Sequence, residues 1–205
     1  YNEDKNRFMV FTLTDKWRQI PNPESRTLDY LSWFGAVYYD IIQTEVNNKK
    51  YYTLLGWNGG NLFSQYKVID VLSFNNRGNP VLGAFIFRAY GKGKPARIVF
   101  EYAKRSSLTL IYDKQQLTQR STKKTKGHYR YQIDTISSPM IVFERLIPMD
   151  ESLQEIPQYR VGESSINDAF IEKDGRWHFK QNVIARNPDK PLPKYDYKPK
   201  KYYDR

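Results

Sequence analysis

Clusters of Asn, Gly and Pro cut the stretch from Lys50 to Asp113 at short, regular intervals, and the residues between them alternate between apolar and polar types. That combination restricts the chain more than any other feature. Strands this short, separated by turn residues rather than by helical patterns, predict antiparallel hairpins and not βαβ units. Lys50 to Trp57 is rich in aromatic and β-favouring residues and stops at Asn58-Gly59-Gly60-Asn61. Tyr66 to Phe74 places Val68, Asp70, Leu72 and Phe74 on one face, with Ile69, Val71 and Ser73 on the other. Asp70 therefore interrupts an apolar face. Asn75 to Pro80 reverses the chain into a strand from Val81 to Phe87, and Gly91 to Pro95 turns it again. Ala96 to Tyr102 is expected to form a hairpin with Leu108 to Asp113.

Earlier in the chain, Phe8 to Leu13 reads as a first strand, and Glu24 to Leu31, led by Pro23, as a short helix. Trp33 to Gln43 pairs with the organising block through a turn at Val46 to Lys49. Beyond Asp113, residues 114–127 are polar, basic and without periodicity, so an exposed loop is expected there. His128 to Thr135 and Met140 to Ile147 return to strand patterning around Ser137-Ser138-Pro139, and Pro148 to Ser165 reads as a connection. Asp168 to Val183 is a hairpin turning at Asp174-Gly175. The expected fold is mainly β: an antiparallel, hairpin-rich sandwich or barrel-like meander with one short helix. Residues 1–185 make a single β-rich domain, and residues 186–205 an extended Pro/Lys/Tyr-rich tail.

Several of these strands carry a resemblance. Lys50-Tyr-Tyr-Thr-Leu-Leu-Gly-Trp57, Val68-Ile-Asp-Val-Leu-Ser-Phe74, Pro80 to Phe87, Val99-Phe-Glu-Tyr102, Tyr112-Asp113 and Ile141-Val-Phe-Glu-Arg-Leu146 are similar to a family of uncharacterised secreted β-rich proteins of Bacteroidota. The similarity runs from about Trp33 to Val183. It implies export and a periplasmic or outer-membrane-associated location, and it supplies no activity. Where that family has an Asp-His pair after Ile-Val-Phe, this chain has Glu144-Arg145.

The net charge of +11 is concentrated in two segments. Residues 114–133 hold six cations and no acid, and residues 186–205 hold seven cations against three acids, which leaves the rest close to neutral. In the first segment Arg120, Lys123, Lys124, Lys126, His128 and Arg130 form a candidate anion-binding set. Acidic lipid, acidic polysaccharide or an acidic partner protein would suit it, with nucleic acid behind these given the implied envelope location. In the tail, Lys190, Lys194, Tyr195, Tyr197, Lys198, Lys200, Lys201, Tyr202 and Tyr203 interleave cations with large amphipathic rings on a proline-stiffened strand, a pattern suited to docking on a protein partner.

Catalytic chemistry finds little footing. The chain has no cysteine, two histidines and no Gly-x-Ser-x-Gly elbow, so thiolate metal sites and cysteine nucleophiles are excluded by composition. His178, between Trp177 and Phe179, reads as a packed cross-strand residue. The strand acids Asp70, Glu101, Asp113 and Glu144 could pair as acid and base in glycoside cleavage, or could instead face solvent or pair with Arg88, Arg97 or Arg145. No cofactor or metal is expected, and no apolar run approaches the roughly 20 residues a membrane span needs. The expected function is a non-enzymatic binding or structural subunit of an envelope protein complex. The alternatives are a carbohydrate-binding or carbohydrate-hydrolysing β-domain and an anion or nucleic-acid binder.

Overall fold

A computed structural model describes residues 8–91, 93–125 and 128–183, with side chains described except at residues 116–136. Two sheets are formed. In the first, β1 (Leu28–Asp29), β5 (Pro80–Leu82), β4 (Ser64–Phe74), β3 (Lys49–Asn58) and β2 (Val37–Val46) lie in that order, and β7 (Ile98–Ala103) pairs with the first half of β4. In the second, the order is β6 (Phe87–Arg88), β11 (Arg176–Val183), β10 (Arg160–Lys173), β9 (His128–Pro148) and β8 (Leu110–Thr125). All pairings are antiparallel except β6 with β11. The sheets face one another as a sandwich and are not closed into a barrel.

The turns form for the reasons their residues suggest. Asn47 and Asn48 both take positive φ, 51° and 61°, and close a two-residue hairpin between β2 and β3. Asp174 and Gly175 do the same between β10 and β11. Between β4 and β5 the Asn75 side chain accepts hydrogen bonds from the amides of Arg77 (2.9 Å) and Asn79 (3.0 Å), mimicking a backbone turn.

Alternation then sorts the side chains. Ile42, Leu55, Ile69, Val71, Ile98 and Phe100 from the first sheet meet Leu110, Ile141, Phe143, Phe170 and Trp177 from the second. Fully burying each such side chain stabilises the fold by about 1.5–3 kcal/mol. The outer face of the first sheet is also apolar, and the chain covers it itself. Leu28 and Phe34, with half-buried Trp17, Ile20 and Trp33, pack on Val68 and Leu82. The segment from Thr14 to Ala36 is thus a roof over the first sheet.

Six sequence expectations change, one being the connection expected over Pro148 to Ser165, within which β10 already begins at Arg160. The helix expected over Glu24 to Leu31 is a 3₁₀ turn at Pro23–Ser25 followed by extended chain into β1. Tertiary bonds prevail there: the Glu24 carbonyl accepts from Ala96 N (2.6 Å) and its carboxylate from Val99 N (2.9 Å). Phe8 to Leu13 is not a strand. The strand from Val81 to Phe87 breaks at Gly83 and changes sheets, contributing β5 to one and β6 to the other. β7 and β8 are not a hairpin, because β7 pairs with β4 and β8 with β9. Finally, the loop expected over 114–127 is strand up to Thr125 on one side, and β9 resumes at His128 on the other. Among the described residues, no helix is long and apolar enough to cross a membrane.

Candidate functional site

The Asp70 reading resolves first. Its side chain is fully buried on the roofed face and meets Arg97, also fully buried, at 3.2 Å. Asp70 accepts further hydrogen bonds from Val71 N (2.8 Å) and the Tyr38 hydroxyl (3.2 Å), and Tyr38 in turn accepts from the Trp33 indole (3.0 Å). Arg97 donates to the carbonyls of Pro23 (2.5 Å) and Arg26 (2.9 Å). The network fastens the roof to the sheet. Burial pushes the Asp70 carboxyl above its ordinary range, and the Arg97 guanidinium pulls the other way.

Glu101 and Glu144 have a different setting. Both line a cleft of about 900 Å³ at the edge of the sandwich, where β7 of one sheet approaches β9 and β10 of the other beneath the 3₁₀ turns at Pro23–Ser25 and Pro157–Tyr159. Glu24, Asp168, Arg18, Arg145, Arg160, Trp17, Tyr66 and Tyr90 share its walls. Each of the four acids accepts a hydrogen bond from the protein. Glu101 accepts from Ser64 (2.7 Å) and Tyr66 (3.3 Å), Glu144 from Thr109 N (2.8 Å), and Glu24 from Val99 N. Asp168 takes a bidentate pair from Arg145 at 3.0 and 2.5 Å. Burial raises the Glu24 carboxyl above its ordinary value, with the Val99 amide and Arg97 opposing. The acids hold the walls together, and the cleft is mixed in charge rather than a pair of free carboxylates.

Asp113 lies elsewhere, bonded to Lys114 N (2.7 Å) and Gln115 (3.3 Å). His178 is half-buried in β11, opposite Ile171 in the ladder. Among the described residues no three or more His, Asp or Glu are grouped to hold a metal ion. The sequence pointed to Glu101 and Glu144 as strand acids, but nothing local linked them to Glu24 or to the roof. Those links are made by contacts across most of the chain.

The basic set falls on a ribbon. β10 pairs with β9 only from Met140 to Pro148, whereas β8 follows β9 down to the pair Thr125↔His128. Beyond Asp113↔Met140 the two strands pair, among the described residues, only with each other over 12 ladder positions. At a rise of roughly 3.3 Å per residue these positions span on the order of 40 Å, the first of them still against the sandwich, where Gln115 is buried and Ser138 and Pro139 share a depression with Ile42 to Glu45. Arg120, Lys123 and Lys124 are on β8, and His128 and Arg130 on β9, with Lys123 directly opposite Arg130 and Lys124 opposite Tyr129. Lys126 lies outside the described residues, as do Lys190, Lys194, Tyr195, Tyr197, Lys198, Lys200, Lys201, Tyr202 and Tyr203.

In comparisons with known proteins, no family model, no curated protein and no solved structure matches the chain.

Proposed function

We propose that this chain is a non-enzymatic binding or structural subunit of an exported, outer-membrane-associated protein complex, and that it reaches its partners through the basic ribbon and the Tyr/Lys tail. The observation that carries this reading is the ribbon. A two-stranded β-ribbon leaving its sheet is marginal by itself in water, and like charges at opposed ladder positions, such as Lys123 and Arg130, destabilise it further. An acidic partner surface relieves both costs. The resemblance to secreted Bacteroidota proteins supports the location. The hydrolase alternative is weaker, because the cleft acids are already bound to protein donors.

In this reading charge on the ribbon sets the rate of encounter, and the tail tyrosines set the residence time. Crosslinking mass spectrometry on the protein purified gently from native envelopes, with and without residues 190–205, tests the subunit role. Stoichiometric recovery of a defined complex, lost on tail deletion, is expected, and recovery only as a free monomer refutes it. With the partner in hand, changing Lys123, Lys124 and Arg130 to Gln is expected to slow association about tenfold at low salt and to flatten its salt dependence.

A further inference from the structure

Of the four tryptophans, Trp177 is fully buried in the core, and the other three meet at one place on the surface. Trp17, Trp33 and Trp57 line an open depression of about 330 Å³ together with Asp15 and Asn58. Trp17 and Trp33 pack part of their surface on the roofed face and Trp57 is exposed, yet all three turn ring surface to one depression, and such patches mark interaction sites.

The rings are held in place. The Trp33 indole donates to Tyr38, the Trp57 indole to Gln65 (3.0 Å), and the Trp17 amide to the Asp15 carboxylate (3.0 Å). Backbone bonds Lys16 N to Trp33 O (2.8 Å) and Trp33 N to Thr14 O (2.9 Å) tie together the two roof segments that carry Trp17 and Trp33. Asn58 braces the floor, donating to Gly35 O (2.6 Å) and accepting from Gly60 N (2.7 Å). Glycine at 59 keeps the Trp57 ring uncovered, since a side chain there would begin 3.4 Å from it. Trp57 is 37% exposed.

The lining chemistry selects the ligand. Among the described residues Asp15, which is exposed, is the only ionisable group lining the depression, and it is offset by cations beside it, so an anion is not favoured by a carboxylate at the centre. A cationic ligand is opposed by Lys104, whose ammonium is bonded to Gly59 O (2.6 Å), and by Arg18, which lies 5.2 Å over the Trp17 ring. An aromatic cage for a quaternary ammonium also needs enclosure, and this depression is open. What remains is an uncharged molecule with an apolar face and a rim of hydroxyl donors. A pyranose ring has both: its axial C–H bonds stack on an indole face, and its equatorial hydroxyls reach a carboxylate.

We infer that the Trp17, Trp33 and Trp57 depression binds a neutral saccharide, with sugar rings stacked on exposed Trp57 and on the open surface of half-buried Trp17 and Trp33, and hydroxyls donating to Asp15. Trp17 also walls the larger cleft, so the two depressions share one ring. The site is independent of the ribbon.

The test applies the intact chain to an array of neutral glycans and follows each hit by calorimetry and tryptophan fluorescence, with cellohexaose and chitohexaose as soluble probes. Retention of a neutral glycan is expected, with affinity falling about tenfold or more in Trp57→Ala and less in Asp15→Asn. The ribbon variant with Lys123, Lys124 and Arg130 changed to Gln is expected to bind the glycan like the parent, which separates this result from the subunit role. Far-UV circular dichroism checks that both site variants fold. No retained glycan, equal binding by Trp57→Ala, or preferential binding of tetramethylammonium or of an apolar peptide at these rings overturns the inference.

Discussion

Asp70 and Arg97 show how a single polar residue on an apolar strand face can determine what covers that face. A buried ion pair adds little over a packed apolar pair, but removing one member strands the other in a medium that cannot solvate it. Asp70→Ala is therefore expected to lower stability by roughly 3–5 kcal/mol, read from urea unfolding, and a loss no larger than that of a surface substitution would show that Arg97 finds solvent. Glu24 adds a pH dependence. Its folded carboxyl holds a proton at pH values where the unfolded chain, titrating near 4.5, has released it. Unfolding in that window releases a proton, so stability from this group falls as pH rises from the ordinary value through the raised one. Glu24→Gln is expected to flatten that limb of the urea-midpoint curve on the alkaline side of the ordinary glutamate value. Asp70 was legible in the sequence as an interruption, with Arg97 among its possible partners. Glu24 was not, because its partner amide at Val99 is 75 positions away and no local pattern encodes that contact.

Hairpins whose turns have dedicated residues were legible, and changes of sheet were not. Asn47-Asn48, Asn75 to Asn79 and Asp174-Gly175 each fix a reversal by local chemistry, so the pairs β2/β3, β4/β5 and β10/β11 followed from the sequence. The alternating pattern of β7 or of Val81 to Phe87 fits either sheet equally, and only packing decides between them. The β8/β9 ribbon escaped for a different reason. Its β9 arm has strand patterning from His128 to Thr135, but its β8 arm is a polar, basic stretch without periodicity, which reads as a loop. Because the ribbon continues past the sandwich, it is expected to be separable from it. Replacing residues 116–137 by Asn-Gly, so that Gln115 and Ser138 flank a two-residue turn, is expected to change stability by less than about 1 kcal/mol while abolishing ribbon-dependent association. Thermal unfolding and association kinetics on the same protein check the two halves. A large loss of stability would mean that the ribbon folds back as part of the core.

The molecule is held together where its two sheets touch, and Trp177 is the point at which that can be measured. Its ring is fully buried among residues of both sheets, and its indole N–H crosses the interface to the Thr53 hydroxyl of β3 at 2.8 Å. These residues are 124 positions apart, so the sequence specifies which faces are apolar and leaves their mutual registry to the folded state. Trp177→Ala removes the largest side chain among the fully buried ones and is expected to cost about 3–5 kcal/mol. Thr53→Val keeps the shape but strands the indole N–H, at about 1–3 kcal/mol. If the bond joins the sheets as one cooperative unit, the double variant loses less than the sum of the single ones, because the Thr53 hydroxyl has no indole to serve once Trp177 is gone. Urea unfolding followed both by far-UV circular dichroism and by fluorescence of the remaining tryptophans reads this coupling. Coincident transitions with a positive coupling identify one sandwich. Two separated transitions with additive losses would mean that the roofed sheet and the ribbon-bearing sheet unfold independently, and that a partner, rather than the core, keeps them aligned.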